Sequence, residues 1–308
     1  MQRRHFLKGT LFTLPVIFSG GLLSGCRADM TQQTSSAHIS PLQNKLNEIL
    51  PRWEKRLNAK IGMAIINDDG QINSYRKEDY FPVNSTIKAF IVAHVLFLVD
   101  KGKLDLTQSI LIKKSDLIEY SPVCQTFFNE KKPITISELC EATTTLSDNA
   151  AANILLNHLG GLMAFNQFLK DIGADVVLSH NEPLLNHAHY GETYNTAKPN
   201  SYAQSLKDII TKDILSNQSK NQLLTWLIND KVADDLLRKH LPKNWRIGDK
   251  TGTGSESKNI VAVIWNAQNK PYFISLFITQ PNDGNSYDFK TQKSIAIANI
   301  GQEIYPFL

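Results

Sequence analysis

Leu42, Leu46, Ile49 and Leu50 recur at helical spacing and predict an amphipathic helix over residues 41–50. The period then changes. Residues 61–67 form a short apolar run closed by Asp68-Asp69-Gly70, and residues 71–76 form a second strand-like run. Two such runs about an Asp-Gly pair predict a hairpin. The middle of the chain is mostly helical in pattern. Residues 86–99 are apolar nearly all round, as in a buried helix, while 137–146 and 150–159 read as two more, the second ending at Gly160-Gly161. Near the end, residues 260–266 and 272–279 are β-rich and flank a second hairpin candidate, and a last helix is expected over 291–304. The prediction is therefore an α+β fold: an antiparallel sheet formed by both chain ends with flanking helices, plus an inserted all-helical domain. The expected division places an α/β domain at 41–83 and 225–308 and the helical domain at 84–224, including a loop at 180–195. No internal repeat is visible.

Composition changes this picture mainly at the N-terminus. The 308 residues, 42% hydrophobic and 20% charged, are ordinary globular values. The net charge of +4 includes Arg3, Arg4 and Lys8, and residues 1–25 contain no acid. Without that segment the balance falls to +1, which leaves no electrostatic case for nucleic-acid binding. A basic start, an apolar stretch over 11–23 and small residues before Cys26 are the layout of an export signal spanning residues 1–25. Arg3-Arg4-His5-Phe6-Leu7-Lys8 resembles a twin-arginine signal, and Leu23-Ser24-Gly25-Cys26 resembles a bacterial lipobox. On that reading Cys26 is lipidated, begins the mature protein and anchors it to a membrane; the alternative is an ordinary secretory signal. Residues 26–40 then read as a polar linker. Cys124 and Cys140 remain in the body. They could pair in an exported protein, but there is no CxxC to suggest a thiolate metal site.

The chemistry begins at Ser85-Thr86-Ile87-Lys88, at the start of the predicted buried helix. Residues three apart share a helical face, so Lys88 projects beside Ser85 and can assist removal of its proton. Alone this pairing is weak, since surface and capping residues produce it by chance. Ser147-Asp148-Asn149 lies between two predicted helices, where an N-cap is the plain alternative. Lys250-Thr251-Gly252 follows an extended run over 246–249, where a charged edge strand with a Gly bulge is the alternative. Glu182-Pro183-Leu184-Leu185-Asn186 lies between those two motifs in a stretch without periodicity. A carboxylate and a carboxamide four residues apart can hold one water between them, unless Glu182 is a solvated loop acid.

Ser-x-x-Lys, Ser-Asp-Asn and Lys-Thr-Gly, once each and in that order, resemble the set shared by class A β-lactamases and penicillin-binding proteins. The Glu182–Asn186 segment is similar to the Ω-loop of class A β-lactamases. The resemblance covers roughly residues 41–308. It implies Ser85 as nucleophile, Lys88, Ser147 and Glu182 as the other catalytic groups, and a β-lactam as the small-molecule substrate. It further implies substrate contacts from Tyr120, Asn149, Asn186, Lys250, Thr251, Gly252 and Thr253, with Asn153 supporting the loop Glu. No cofactor and no metal are implied, and a monomer is the default.

Some positions depart from the family pattern. His180 and Asn195 stand where the family has an Arg–Asp ion pair closing the loop, although His180 can still hydrogen-bond Asn195. Asn84 and Gly254 stand where many carbapenem-hydrolysing members have a bridged Cys pair. Cys140 matches a family Cys whose partner position holds Val92, which implies a free, buried thiol. The family's distal Arg is missing; Lys258 supplies that charge or is a solvated strand lysine. His180, His187 and His189 fit no common zinc spacing. A D,D-peptidase and a non-turnover β-lactam sensor share the acylation motifs, but neither has a use for Glu182 and Asn186.

Overall fold

The computed structural model describes residues 39–280 and 287–308. The expectations for the export signal and Cys26 lie outside the described residues. α1 (Pro41–Leu57) begins at an N-cap, where Ser40 Oγ accepts from the Gln43 N–H at 3.0 Å. The helix runs beyond the predicted end at Leu50 and straight through Pro51. An interior proline costs a helix about 3 kcal/mol. Trp53 and Leu57 continue the buried face of Leu46, Ile49 and Leu50, and two such side chains return about 1.5–3 kcal/mol each. Tertiary burial overrides the local stop signal.

β1 (Lys60–Asn67) and β2 (Ile72–Tyr75) form the predicted hairpin, with Ile66 opposite Ile72 and Gly70 at φ +83° in the turn. β3 (Phe81–Pro82) leads through a 3₁₀ turn (Asn84–Ile87) into α2 (Lys88–Asp100). There follow β4 (Ser109–Leu111), α3 (Pro122–Glu130), β5 (Pro133–Thr135), α4 (Ile136–Thr145), α5 (Asn149–His158) and α6 (Gly161–Asp171). β6 (Thr196–Ala197), α7 (Pro199–Thr211) and α8 (Asn217–Ile228) complete the helical middle. β7 (Arg246–Thr253), β8 (Ser257–Trp265), β9 (Pro271–Thr279) and α9 (Tyr287–Ile304) close the chain.

The main sheet runs β2-β1-β9-β8-β7, antiparallel throughout, so the N-terminal hairpin zips onto a C-terminal strand with Lys60 opposite Thr279. This is the α+β arrangement expected from the sequence. Ile61, Met63 and Ile65 of β1 face α1 and α9 in one core, which includes Leu46, Ile297 and Ile300. Ala64 and Ile66 face the helical side, in a core with Val261, Val263 and Phe277. Both faces are covered, which is why these strands read as continuous apolar runs rather than as alternation. β7 is an edge strand and extends beyond the predicted 246–249, carrying Lys250, Thr251 and Gly252 within it. Among the described residues no helix is long and apolar enough to cross a membrane.

α2 is buried from Lys88 to Leu96. One polar passenger on it makes a testable stability claim. His94 lies flat on Phe168 at 4.5 Å between ring centroids, and its Nδ1 has no hydrogen-bond partner among the described residues. Burial pushes its pKa down to about 4 from 6.5. The unfolded chain takes a proton below about 6.5 that the native state refuses until about 4, so stability falls as pH drops through that window, approaching ~3 kcal/mol. Urea unfolding of His94→Phe is expected to lose less stability between pH 6.5 and 4 than the parent does. Parallel acid profiles for the two proteins would reject this.

Candidate active site

The site forms where the 3₁₀ turn, the entry to α5, the loop after α6 and edge strand β7 converge. Ser85 is the second residue of the turn and Lys88 the first of α2, so three-residue spacing brings them together. Lys88 Nζ donates to Ser85 Oγ at 3.0 Å, to the Ser147 carbonyl at 2.8 Å and to Asn149 Oδ1 at 2.5 Å. It also pairs with Glu182 Oε1 at 2.9 Å. The ammonium is wholly buried. Desolvation lowers its pKa, and the Glu182 carboxylate opposes that shift.

Asp148 explains how Ser147 and Asn149 reach the same place. One of its oxygens accepts from the Ala151 N–H at 2.9 Å and N-caps α5; the other accepts from the Val123 and Cys124 N–H groups at 2.9 and 3.0 Å, at the start of α3. The plain reading of this motif as a cap therefore holds for Asp148 and coexists with the site. Ser147 sits at φ +58° on the turn. Asn149 Nδ2 donates to the Glu119 carbonyl at 2.9 Å and its N–H to the Tyr120 carbonyl at 3.0 Å, which ties the exposed Tyr120 to the cleft rim.

Glu182 is 5% exposed and is held on three sides. Ser85 Oγ donates to its Oε1 at 3.1 Å, and Asn186 Nδ2 to its Oε2 at 2.5 Å. Asn153 grips its backbone, donating to the Glu182 carbonyl at 2.9 Å and accepting from its N–H at 3.0 Å. A 3₁₀ turn (Leu184–His187) places Asn186 one turn beyond Glu182. At Asn195 the loop closes through hydrogen bonds. Buried Asn195 accepts from the Ser179 N–H at 2.8 Å and donates to Ser179 Oγ at 3.0 Å, with His180 Nδ1 at 3.2 Å. Its backbone N–H donates to the Val177 carbonyl and its carbonyl accepts from the Val83 N–H. A hydrogen-bonded clasp centred on Asn195 stands where the family has an Arg–Asp pair. His189 pairs with Glu256 at 3.0 Å, and no cluster of three metal-binding side chains occurs among the described residues.

From β7, buried Lys250 donates to Ser147 Oγ at 3.1 Å and to the Thr251 carbonyl at 3.0 Å. Burial pushes its pKa down to about 8, opposed by Asp230 and helped by Lys88. Gly252 is required by close approach: a Cβ there would lie 3.0 Å from the Val83 carbonyl oxygen and 3.1 Å from the Thr86 nitrogen. The glycine lets the edge strand lie against the turn that carries Ser85. Asn84 and Gly254 do meet, since a Cβ at 254 would fall 2.7 Å from Asn84 Oδ1; Asn84 Nδ2 instead donates to Ser257 Oγ at 2.7 Å. Cys124 and Cys140 are buried, unpaired thiols.

A cleft of about 480 Å³ opens over this arrangement. Ser85, Tyr120, Ser147, Asn149, Asn186 and Thr253 line it, together with Thr251, Gly252 and Lys258. Lys88, Glu182 and Lys250 lie behind that lining, and Asn153 lies behind Glu182. Lys258 Nζ donates to Thr253 Oγ1 at 3.1 Å on the cleft wall. Glu119, Val232 and Lys290 also line the cleft, although sequence reasoning did not single them out. Glu119 directly precedes Tyr120, which gave a signal for it. Lys290 on α9 has no motif around it.

A model of the beta-lactamase enzyme family matches residues 41–308. The chain is 68% identical to beta-lactamase BRO-1 of Moraxella catarrhalis over the full length of both. It is 38% identical to beta-lactamase AER-1 of Aeromonas hydrophila, covering 77% of this chain and 78% of that one. Among solved structures, an ancestral class A beta-lactamase superposes with a TM-score of 0.79 at 38% identity, covering 85% of this chain and all of the other. With the family matched over the whole described fold, the chain belongs to the beta-lactamase enzyme family, as a class A enzyme that hydrolyses β-lactams.

Proposed function

We propose that hydrolysis proceeds through an ester on Ser85 that is released by a water under Glu182. The observation that carries this reading is the contact of Ser85 Oγ with both Glu182 Oε1 (3.1 Å) and Lys88 Nζ (3.0 Å), while Asn186 holds the second carboxylate oxygen. Ser85 Oγ attacks the lactam carbonyl carbon. Its proton passes to the Glu182 carboxylate, or to Lys88 as the neutral amine once the pair has left its shared proton on Glu182, both groups lying in hydrogen-bond reach. The oxyanion is met by backbone N–H groups of Ser85 and Thr253; at the start of a short helical turn the first of these has no intrahelical acceptor. When the C–N bond breaks, Ser147 Oγ delivers a proton to the ring nitrogen and is resupplied from Lys250 or Lys88, 3.1 and 3.3 Å away. Lys250, Thr251 and Lys258 take the substrate carboxylate, Asn149 its side-chain amide, and Tyr120 stacks at the rim. Glu182 is cleared through Lys88, 2.9 Å away, as Lys88 resupplies Ser147; water held between Glu182 and Asn186 then gives a proton to Glu182 as it attacks the ester carbonyl, and that proton returns to Ser85 Oγ when the ester C–O bond breaks. No cofactor takes part.

The protein further acts outside the cytoplasm as a lipoprotein anchored through Cys26, and as a monomer, since one chain supplies every group named. Cells making the full chain are expected to hydrolyse a chromogenic cephalosporin, with the activity in the membrane fraction and with Cys26→Ala moving it to the soluble fraction. Absence of hydrolysis would sink the catalytic reading. An unchanged distribution would sink the anchor alone.

A further inference from the structure

We propose that Lys290, beside Lys258, makes the β8–α9 end of the cleft a receptor for a second negative charge on the substrate, so that the enzyme favours β-lactams bearing an anionic substituent on the fused ring in addition to the ring carboxylate. The inference rests on the β-lactam reading of this same cleft and adds a substrate class to it.

The argument is a charge count. Four lysines surround the cleft. Lys88 is neutralised at 2.9 Å by Glu182. Lys250, Lys258 and Lys290 remain, and among the described residues none of the three has a carboxylate within 4.0 Å. Asp230 and Asp235 act on Lys258 only from beyond that distance, while the charge of Lys290 acts against them. One ring carboxylate offsets one of these three charges and leaves two unbalanced. Lys250 is the least free of the three, being wholly buried with its ammonium bonded to Ser147 and Thr251. Lys290 is half-buried, lines the open cleft and has no hydrogen-bond acceptor among the described residues, so it is the charge left to a ligand.

Position decides which part of the ligand it meets. Asn149, tied to Glu119 and Tyr120, marks the end that receives the acylamino side chain. Glu119 is the acidic residue of the cleft lining and lies at that end, so like-charge repulsion disfavours an anionic group there. The fused ring then points away from Glu119, toward the wall where Lys258 bonds Thr253 and Lys290 lies near it. A carboxylate or sulfonate on the ring substituent would enter the cationic end.

The test uses two cephalosporins that share the acylamino group and differ only in the ring substituent, one ending in a carboxylate and the other in its neutral carboxamide. The full-length enzyme is expected to favour the carboxylate by about three- to ten-fold in kcat/KM, mostly through KM, as one partly screened charge pair provides. The preference should shrink at high salt, collapse in Lys290→Ala and return in Lys290→Arg. Equal kcat/KM for the two substrates in the parent, or a preference that survives Lys290→Ala, would overturn the assignment. If the parent turned over neither compound, the hydrolase reading would fall and this inference with it; turnover of the carboxamide alone separates the two failures.

Discussion

Ser85→Ala is expected to abolish hydrolysis of a chromogenic cephalosporin, lowering kcat by roughly 10⁶-fold, the scale on which loss of a serine nucleophile is felt in other hydrolases. Among the described residues no other hydroxyl has the same neighbours. Ser85 Oγ contacts both Lys88 Nζ and Glu182 Oε1. Ser147 Oγ is the nearest rival, but it sits between two ammonium groups at 3.1 and 3.3 Å, positions suited to passing a proton and not to losing one to a carboxylate. The substitution removes one hydroxyl and leaves the Lys88–Glu182 pair in place, so the fold should persist. Steady-state rates and intact mass after mixing with a penicillin check it together. Turnover within a hundredfold of the parent, or an acyl adduct on the alanine protein, would move the nucleophile elsewhere.

The second large effect concerns release. Glu182→Ala should acylate and then stall, because the group that activates the water is gone while Ser85, Lys88 and the residues of the cleft wall remain. General-base assistance accounts for 10²–10⁴ in rate, so deacylation is expected to slow by roughly 10³-fold. Lys88 loses its counter-ion in a wholly buried position, and desolvation then drives it toward the neutral amine, a competent base for acylation. Breaking a buried pair typically costs about 3–5 kcal/mol, an amount reduced if Lys88 sheds its proton. Glu182→Gln keeps the shape and serves as the stability control. The expected observation is one equivalent of product per enzyme, followed by a stable adduct in the mass spectrum. Multiple turnovers without a burst would remove Glu182 from its role. This experiment also separates the hydrolase from a D,D-peptidase or sensor, which would stay acylated even with Glu182 present.

Much of this protein was legible in one dimension wherever the relevant distance is short along the chain. Ser85 and Lys88 are three apart on a helical turn, Glu182 and Asn186 four apart in a loop, and the first hairpin closes over the three residues Asp68-Asp69-Gly70. Period and spacing therefore placed Lys88 beside Ser85 and Asn186 beside Glu182 and set the strand-helix-strand order of an α+β chain, while the roles of these residues came from the resemblance carried by the ordered motif set. Long-range packing decided the rest. α1 continues through Pro51 because Trp53 and Leu57 have a core to enter, and β7 carries Lys250 and Gly252 because β8 lies alongside to pair with it. The clasp at Asn195 needs Ser179, His180, Val177 and Val83 in one place, and Lys290 enters the cleft only because α9 folds back across the sheet. Contacts between residues tens to hundreds of positions apart leave no periodic trace, since burial and hydrogen-bond geometry set them only after the chain has closed on itself.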